Sequence, residues 1–178
     1  VEHDAQTLAV GHAASAAVLL ALLDSDCTLW LLPMVAASGA GAWLRFHTGC
    51  TVVADPAQAR FVWVAQGDAL PALNRLALGT DIYPDQSATC VVDVSRAAAT
   101  TADASDAWHL RGPGIRDVAA LRVDGLPDDF EAQWAANHGV FPRGVDLLLA
   151  TADHIVGLPR TTRATRSATA LQEAWACT

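Results

Sequence analysis

Short apolar runs alternate with polar turns along the whole chain. The most continuous of these runs predict two strands, Val145–Ala150 and Ile155–Leu158, joined by the polar turn Thr151–His154. A hairpin this apolar is typical of strands inside a sheet rather than at a half-exposed edge. Ala88–Val94 is the clearest further inner strand. We therefore expect a sheet whose last two strands form an antiparallel pair.

Four other runs have the β-branched and aromatic content that is typical of strands. They are Thr28–Leu32, Phe61–Ala65, Trp108–Arg111 and Ala119–Val123. Seven short strands interleaved with about four helices predict an α/β fold with a mixed sheet, to which the terminal hairpin contributes the antiparallel part.

Four segments have helical patterns: His12–Leu23, Trp43–His47, Asp68–Leu78 and Pro127–His138. The first is apolar on nearly every side, which is typical of a helix buried on more than one face. Asp68–Leu78 has leucines at helical spacing behind an aspartate cap and ahead of a glycine. In Pro127–His138, Phe130 is expected to stack over Trp134 one turn later.

Residues 1–178 are expected to form a single domain, long enough to bury about 70% of the surface that the unfolded chain exposes. Ser95–Asp106 is rich in Ala, Thr and Asp without periodicity, which predicts an exposed loop. The ends, 1–12 and 163–178, are poorly defined, with a helical pattern only around Leu171 and Trp175. Because Val1 is not an initiator methionine, further residues are expected upstream.

The charged residues exclude several functions. A formal charge of −8 argues against non-specific binding to nucleic acid or to an anionic membrane. All eleven cationic side chains are arginine, so a Schiff-base lysine and a P-loop lysine are excluded. The apolar run Ala13–Leu23 is too short to span a bilayer, and no signal-peptide pattern is present. The four cysteines lack a Cys-x-x-Cys pair, which favours reduced thiols in a cytosolic protein.

Two segments are candidate anion sites. Gly112-Pro113-Gly114 can form a nest whose backbone amides receive phosphate oxygens, although Pro-Gly is more often a plain turn. Arg160–Arg163 offers two guanidinium groups together with the hydroxyls of Thr161 and Thr162. The more frequent alternative is an exit loop whose arginines pair with the surplus carboxylates of the chain.

The sequence contains no pattern for a catalytic or metal site. His109, His138 and His154 lie on separate predicted elements, and none has a partner at metal-ligand spacing. A Gly-x-Ser-x-Gly motif is absent, and no Ser, His and Asp suggest a triad. Partial exposure of Trp134 and Trp175 on their predicted helices would suit protein interfaces, which favours a partner-binding subunit over a free-standing enzyme.

Five motifs occur in order along the chain: Asp24–Trp30, Leu44–Gly49, Gly112–Ile115, Phe141–Asp146 and Leu158–Thr162. Together they resemble the PhnH family, the H subunit of the bacterial carbon–phosphorus lyase core complex. The resemblance extends over nearly the whole chain, and five motifs in sequence make it specific.

The resemblance implies a role in phosphonate catabolism in the cytoplasm, in a core complex with subunits G, I and J. That complex couples an alkylphosphonate to carbon 1 of the ribose of ATP, with release of adenine, to give a ribose 1-alkylphosphonate 5-triphosphate. The implied fold is a three-layer α/β/α sandwich with a mixed sheet, similar to the large domain of pyridoxal-phosphate transferases. Without a lysine, the chain cannot hold pyridoxal phosphate covalently as those enzymes do.

Two hypotheses for this subunit follow. In the first it is a non-catalytic positioning subunit that forms a homodimer when isolated, with no metal or cofactor of its own and with ATP as a substrate of the complex. In the second it has its own nucleotide-triphosphate site. The residues of that site would be Arg160, Thr161, Thr162, Arg143, Gly112 and Gly114.

Overall fold

The computed structural model describes residues 10–166 of the 178-residue chain, and these contain four α-helices and ten strands. The helices are α1 (Ala13–Leu22), α2 (Pro33–Ala37), α3 (Ala40–Thr48) and α4 (Phe130–Gly139). The strands are β1 (Thr28–Leu31), β2 (Thr51–Val52), β3 (Phe61–Val64), β4 (Thr89–Asp93), β5 (Arg96–Ala99), β6 (Trp108–Arg111), β7 (Ala119–Asp124), β8 (Asp146–Ala150), β9 (Ile155–Leu158) and β10 (Arg163–Thr165). The helical pattern around Leu171 and Trp175 falls outside the described residues.

The larger sheet has six strands in the order β2-β1-β3-β4-β8-β9. Its first five strands are parallel, and β9 runs antiparallel to β8. The predictions of a mixed α/β sheet and of a terminal hairpin are thus confirmed. The expectation that the whole hairpin lies inside the sheet is wrong, because β9 is its edge strand and Ile155 and Gly157 are exposed. So is the inner position of β4, where Val91 lies opposite Trp63 on one side and Leu148 on the other.

Four antiparallel strands pair with one another in a second sheet, in the order β10-β6-β7-β5. The sequence predicted a single sheet, so the assignment of β6 and β7 to it is wrong. They pair instead with β5 and β10, which were not predicted because one lay in the expected loop and the other in the undefined tail. The register places Arg163 opposite Arg111 and Thr165 opposite His109.

The alternating side chains of the six-stranded sheet divide the core into two clusters. Leu29, Trp63 and Val91 face α1 and α3, where they pack with Leu19 and Leu44. The opposite side chains of β3, β4 and β8 form one core with the second sheet and α4. The parallel sheet is therefore covered on both faces, as its continuously apolar strands require.

The predicted helix Asp68–Leu78 is wrong. Pro71 disfavours the α conformation of the preceding Leu70, and the segment forms only a 3₁₀ turn at Leu73–Arg75. The backbone N–H of Leu73 donates to Oε1 of Gln133 at 3.1 Å. Leu73 and Leu76 are buried, so the leucine spacing reflects which side chains are buried and does not indicate a helix.

Two other expectations also need correction. Ser95–Asp106 is not entirely a loop, since β5 pairs with β7 although only Ala97 of that strand is buried. An edge strand with one buried residue has no hydrophobic alternation for a sequence to display. Helix α1 buries one side only: Ala16 and Leu19 are covered, whereas Leu22 is 45% exposed.

Asp93, at the end of β4, anchors the start of α1. Its carboxylate accepts hydrogen bonds from the backbone N–H of His12 at 3.0 Å, from the hydroxyl of Ser15 and from Nε1 of Trp63 at 3.3 Å. Burial raises the pKa of Asp93, while these three donors act in the opposite direction. The contacts explain why a polar residue ends the most apolar strand of the sheet.

Candidate functional site

The second half of α4 holds the segment that leads into β8. Nδ2 of Asn137 donates to the carbonyl of Val145 at 2.9 Å, and the N–H of Val145 donates to Oδ1 of Asn137 at 2.8 Å. Gly144, between them, has φ +126°, and a Cβ at this position would lie 3.0 Å from Oδ1 and 3.1 Å from the carbonyl of Asn137. Only glycine fits this close approach without a shift. The preceding Phe141–Pro142 peptide is cis.

The same helix holds the loop between β9 and β10. Nε1 of Trp134 donates to the carbonyl of Thr162 at 2.8 Å. Trp134 is fully buried and stacks with Phe130 at 5.8 Å between ring centroids, so the predicted stacking is confirmed and the partial exposure of Trp134 is wrong. α4 therefore supports the Phe141–Asp146 and Leu158–Thr162 motifs from within the core.

His138 links this loop to β10. Its Nδ1 lies 3.0 Å from the carbonyl of Arg160, an acceptor only, so Nδ1 carries the hydrogen. Nε2 of the same ring then accepts a hydrogen bond from Nε of Arg163 at 3.2 Å. The histidine thereby fixes the orientation of the Arg163 side chain.

Arg160, the leading candidate for an anion ligand, is turned toward protein groups. Its Nε and Nη2 contact the carboxylate of Asp146, and its backbone N–H donates to Oδ1 of Asp146 at 2.7 Å. The guanidinium also donates to Ser87 and to the carbonyl of Pro84 at 2.9 Å. The side chain of Arg160 is only 13% exposed. Its contacts join the Phe141–Asp146 and Leu158–Thr162 motifs to each other.

Arg143 is also engaged, in an exposed ion pair with Asp81 at 3.2 Å. The side chain of Thr162, in the β9–β10 loop, is buried. The six predicted site residues therefore do not converge on one site. The structure brings Gly112 close to Thr161 and Thr162: a Cβ on Gly112 would lie 3.0 Å from the carbonyl of Thr161 and 3.1 Å from Cα of Thr162.

Where Gly112 and Thr161 meet, they border a cavity of about 650 Å³. It lies between the β6–β7 turn, the end of α4 and the start of β10. The residues that line this cavity are Arg111, Gly112, Pro113, Ile115, Arg116, Asp117, His138, Thr161 and Arg163. We call it the arginine cavity. Arg160, Arg143 and Gly114 are not among its lining residues.

The sequence reasoning missed Arg111 and Arg116. They flank the glycine turn as Arg-Gly-Pro-Gly-Ile-Arg, and an arginine on each side of a candidate nest was a usable signal. The pairing of Arg111 with Arg163 could not be read from the sequence, because it depends on strand β10.

The lining of the arginine cavity is rich in basic side chains. Among the described residues, the lining contains three arginines, the aspartate Asp117 and one hydroxyl side chain, that of Thr161. None of the lining residues in the described part of the chain is a serine or cysteine that could act as a nucleophile with His138. Within residues 10–166 no group of three or more His, Cys, Asp and Glu side chains is placed to hold a metal ion. Nor is any helix in that range long and apolar enough to cross a membrane.

Comparison with known proteins gives consistent matches. A family model described as "Bacterial phosphonate metabolism protein (PhnH)" matches residues 1–165. A protein of Rhizobium meliloti (strain 1021), "Alpha-D-ribose 1-methylphosphonate 5-triphosphate synthase subunit PhnH", is 41% identical over 153 residues, which cover 86% of this chain and 74% of the relative. The "Putative C-P lyase subunit protein HtxG" of Stutzerimonas stutzeri is 35% identical over 147 residues, 82% of this chain and 68% of the relative.

Proposed function

Because the chain belongs to the PhnH family of bacterial phosphonate metabolism proteins, we propose that it is a subunit of a ribose 1-methylphosphonate 5-triphosphate synthase of the carbon–phosphorus lyase type. The observation that carries this proposal is the family match over residues 1–165, together with the 41% identity to a named synthase subunit. The reaction assigned to the complex is the coupling of an alkylphosphonate to the ribose of ATP, with release of adenine.

Within that complex the role of this chain is to position other subunits rather than to catalyse. This role is supported by the side chains of the motif residues and of α4, which make their hydrogen bonds to other groups of the same protein. Arg160 bonds Asp146, Asn137 clamps Val145, and Trp134 holds the carbonyl of Thr162. Residues committed to such contacts shape a rigid surface and are not available to a substrate.

The partners that follow from this role are subunits G, I and J in the cytoplasm, with a homodimer when the chain is isolated. Large apolar side chains on the surface support contacts with other proteins: Phe46 is 83% exposed, Ile82 80% and Phe141 59%. Exposure of large apolar side chains to water is unfavourable, and such residues are typical of protein interfaces. They replace Trp134 as the candidate interface residues.

For the fold, we propose correspondence to the three-layer α/β/α sandwich of the large domain of pyridoxal-phosphate transferases, without their cofactor. Helices α1 and α3 on one face of the parallel sheet and α4 on the other support this assignment. The second, antiparallel sheet beside α4 is then an addition to that plan. Superposition on an experimental structure of such a domain tests the correspondence: a different strand order in the central sheet would contradict it.

Co-expression with subunits G, I and J, followed by size-exclusion chromatography, tests the assembly. We expect all four chains to elute in one peak. A Phe141→Glu variant tests the proposed surface. It places a charge on the exposed apolar surface and should weaken co-elution without unfolding the chain. Elution of the wild-type chain in a separate peak at micromolar concentration would contradict the proposal.

A further inference from the structure

We propose that Cys27 and Cys50 form a redox-responsive pair, which a small-molecule disulfide such as oxidised glutathione converts into an intrachain disulfide. Both cysteines are free thiols in the structure. Each directly precedes a strand, since β1 begins at Thr28 and β2 begins at Thr51. The two thiols therefore lie at the same end of the β1–β2 pair, at the edge of the six-stranded sheet.

The register of β1 and β2 places the two cysteines side by side. Thr28 is the partner of Thr51 in the parallel ladder, and the N–H of Thr51 donates to the carbonyl of Cys27 at 3.0 Å. One residue before this pair, Cys27 and Cys50 are the next neighbours across the ladder. Adjacent strands are about 5 Å apart, which lies within the Cα–Cα range of about 4.4–6.8 Å that a disulfide spans.

Both side chains project toward the same side of the sheet. Cys27 precedes Leu29 by two residues, and residues so spaced in an extended chain share a face. Leu29 is fully buried against α1 and α3. Cys50 is buried in the same cluster, and Cys27 packs against it while partly exposed. The two thiols therefore point into one packed region, as a disulfide between them requires.

The end of the ladder can accommodate the new bond. Cys50 follows Gly49, which ends α3 with φ +78°. A Cβ on Gly49 would lie 3.4 Å from Cβ of Ser25, so the segments that precede the two cysteines are already in contact. Neither cysteine lies within β1 or β2. A small shift that brings the sulfur atoms to bonding distance therefore involves only the end of the ladder.

The exposure of the two thiols assigns their order of reaction. Cys27 is partly exposed, whereas Cys50 is only 1% exposed. The thiolate of Cys27 attacks one sulfur of oxidised glutathione and displaces the other glutathione as its thiolate. The thiolate of Cys50 then attacks Sγ of Cys27 in this mixed disulfide and displaces the second glutathione. The protein loses two electrons and two protons, and two molecules of reduced glutathione are formed.

The remaining core cysteine is a poor competitor for the reagent. Cys90 lies in β4 and is fully buried, and burial raises the pKa of its thiol far above the usual range. Burial also raises the pKa of Cys27, although its thiol is partly exposed. Because the thiolate is the attacking species, the exchange should become faster as the pH rises from about 7 to about 8.5.

The test is mass spectrometry of the native chain after incubation with oxidised glutathione at about pH 8.5, alkylation of the remaining thiols and cleavage after arginine with trypsin. Cleavage places the four cysteines in four separate peptides, residues 1–45, 46–60, 76–96 and 167–178. We expect peptide 1–45 to be linked to peptide 46–60, and dithiothreitol to remove the link. The oxidised chain should have a thermal midpoint about 5–10 °C higher, because the bond restricts the unfolded chain.

Cys177→Ser is the matched control, since it removes one thiol and leaves the pair intact, and it should give the same link. Cys27→Ser should abolish the link. A main product in which either peptide is linked to residues 76–96 or 167–178 would overturn the proposal. So would glutathione retained on Cys27 beside an alkylated Cys50, or alkylation of both thiols. A linked chain whose thermal midpoint is no higher than that of the reduced chain would show that the native fold does not accommodate the bond, which also contradicts the proposal.

Discussion

Replacing Arg160 by alanine tests whether this residue is part of the framework or part of a ligand site. The substitution removes a guanidinium that contacts Asp146, Ser87 and the carbonyl of Pro84. The side chain of Arg160 is 13% exposed and that of Asp146 is 30% exposed. The burial of this ion pair is therefore intermediate between that of a fully buried pair and that of a surface pair.

The expected loss of stability follows from that position. Removal of one partner from a fully buried pair costs about 3–5 kcal/mol, because the other charge is left uncompensated. Exposed pairs contribute about 0–1 kcal/mol. The backbone N–H of residue 160 still donates to Asp146 in the variant, which limits the loss. We expect the free energy of unfolding to fall by about 2–3 kcal/mol.

Urea unfolding followed by circular dichroism measures this change. Arg143→Ala is the matched control, because its ion pair with Asp81 joins side chains that are 41% and 77% exposed, and it should cost less than about 1 kcal/mol. In a double-mutant cycle with Asp146→Ala, the two losses should be clearly non-additive. An Arg160→Ala variant as stable as Arg143→Ala would refute the framework role.

Two further predictions concern the loops at either end of β8. Gly144→Ala should lower the free energy of unfolding by about 1–3 kcal/mol, because φ +126° and the 3.0 Å approach to Asn137 leave no room for a Cβ. A variant with the same thermal midpoint as the wild type would contradict this prediction. The pKa of His154 is raised, first by the hydrogen bond to the carbonyl of Ala97 and then by Asp153. Its stabilising contribution is thus complete below the unfolded pKa of 6.5 and is lost as the pH rises through the folded pKa. Urea midpoints measured across this range should depend on pH more steeply for wild type than for His154→Gln, and parallel profiles would show that the contact does not titrate.

The elements whose burial is uniform were predictable from the sequence. β4 and β8 are continuous apolar runs bounded by polar turns, and such runs are read directly as inner strands. β9 is equally apolar in sequence, but it is the edge strand of the sheet and buries only Leu158, so its predicted inner position is wrong. The stacking of Phe130 on Trp134 follows from helical spacing alone. By contrast, β5 and β10 bury one side chain each and exist because a neighbouring strand pairs with them. No local pattern reports such pairing.

The candidate site was only partly predictable for the same reason. The sequence drew attention to Arg160 because two arginines stood beside two threonines. The hairpin register, which places Leu147 opposite Leu158, also brings Asp146 close to Arg160 and could have revealed their pairing. The approach of Arg111 to Arg163 depends on a strand in a region with no periodicity. Contacts between distant segments, rather than local composition, therefore decide which arginines lie next to each other.

We propose that this chain is a required subunit of a phosphonate-coupling synthase. The most direct test of this proposal is adenine release from ATP and methylphosphonate by purified subunits G, I and J, measured chromatographically with and without this chain. We predict that adenine release requires the chain and is restored when the chain is added back. Equal rates in its absence would contradict the assignment.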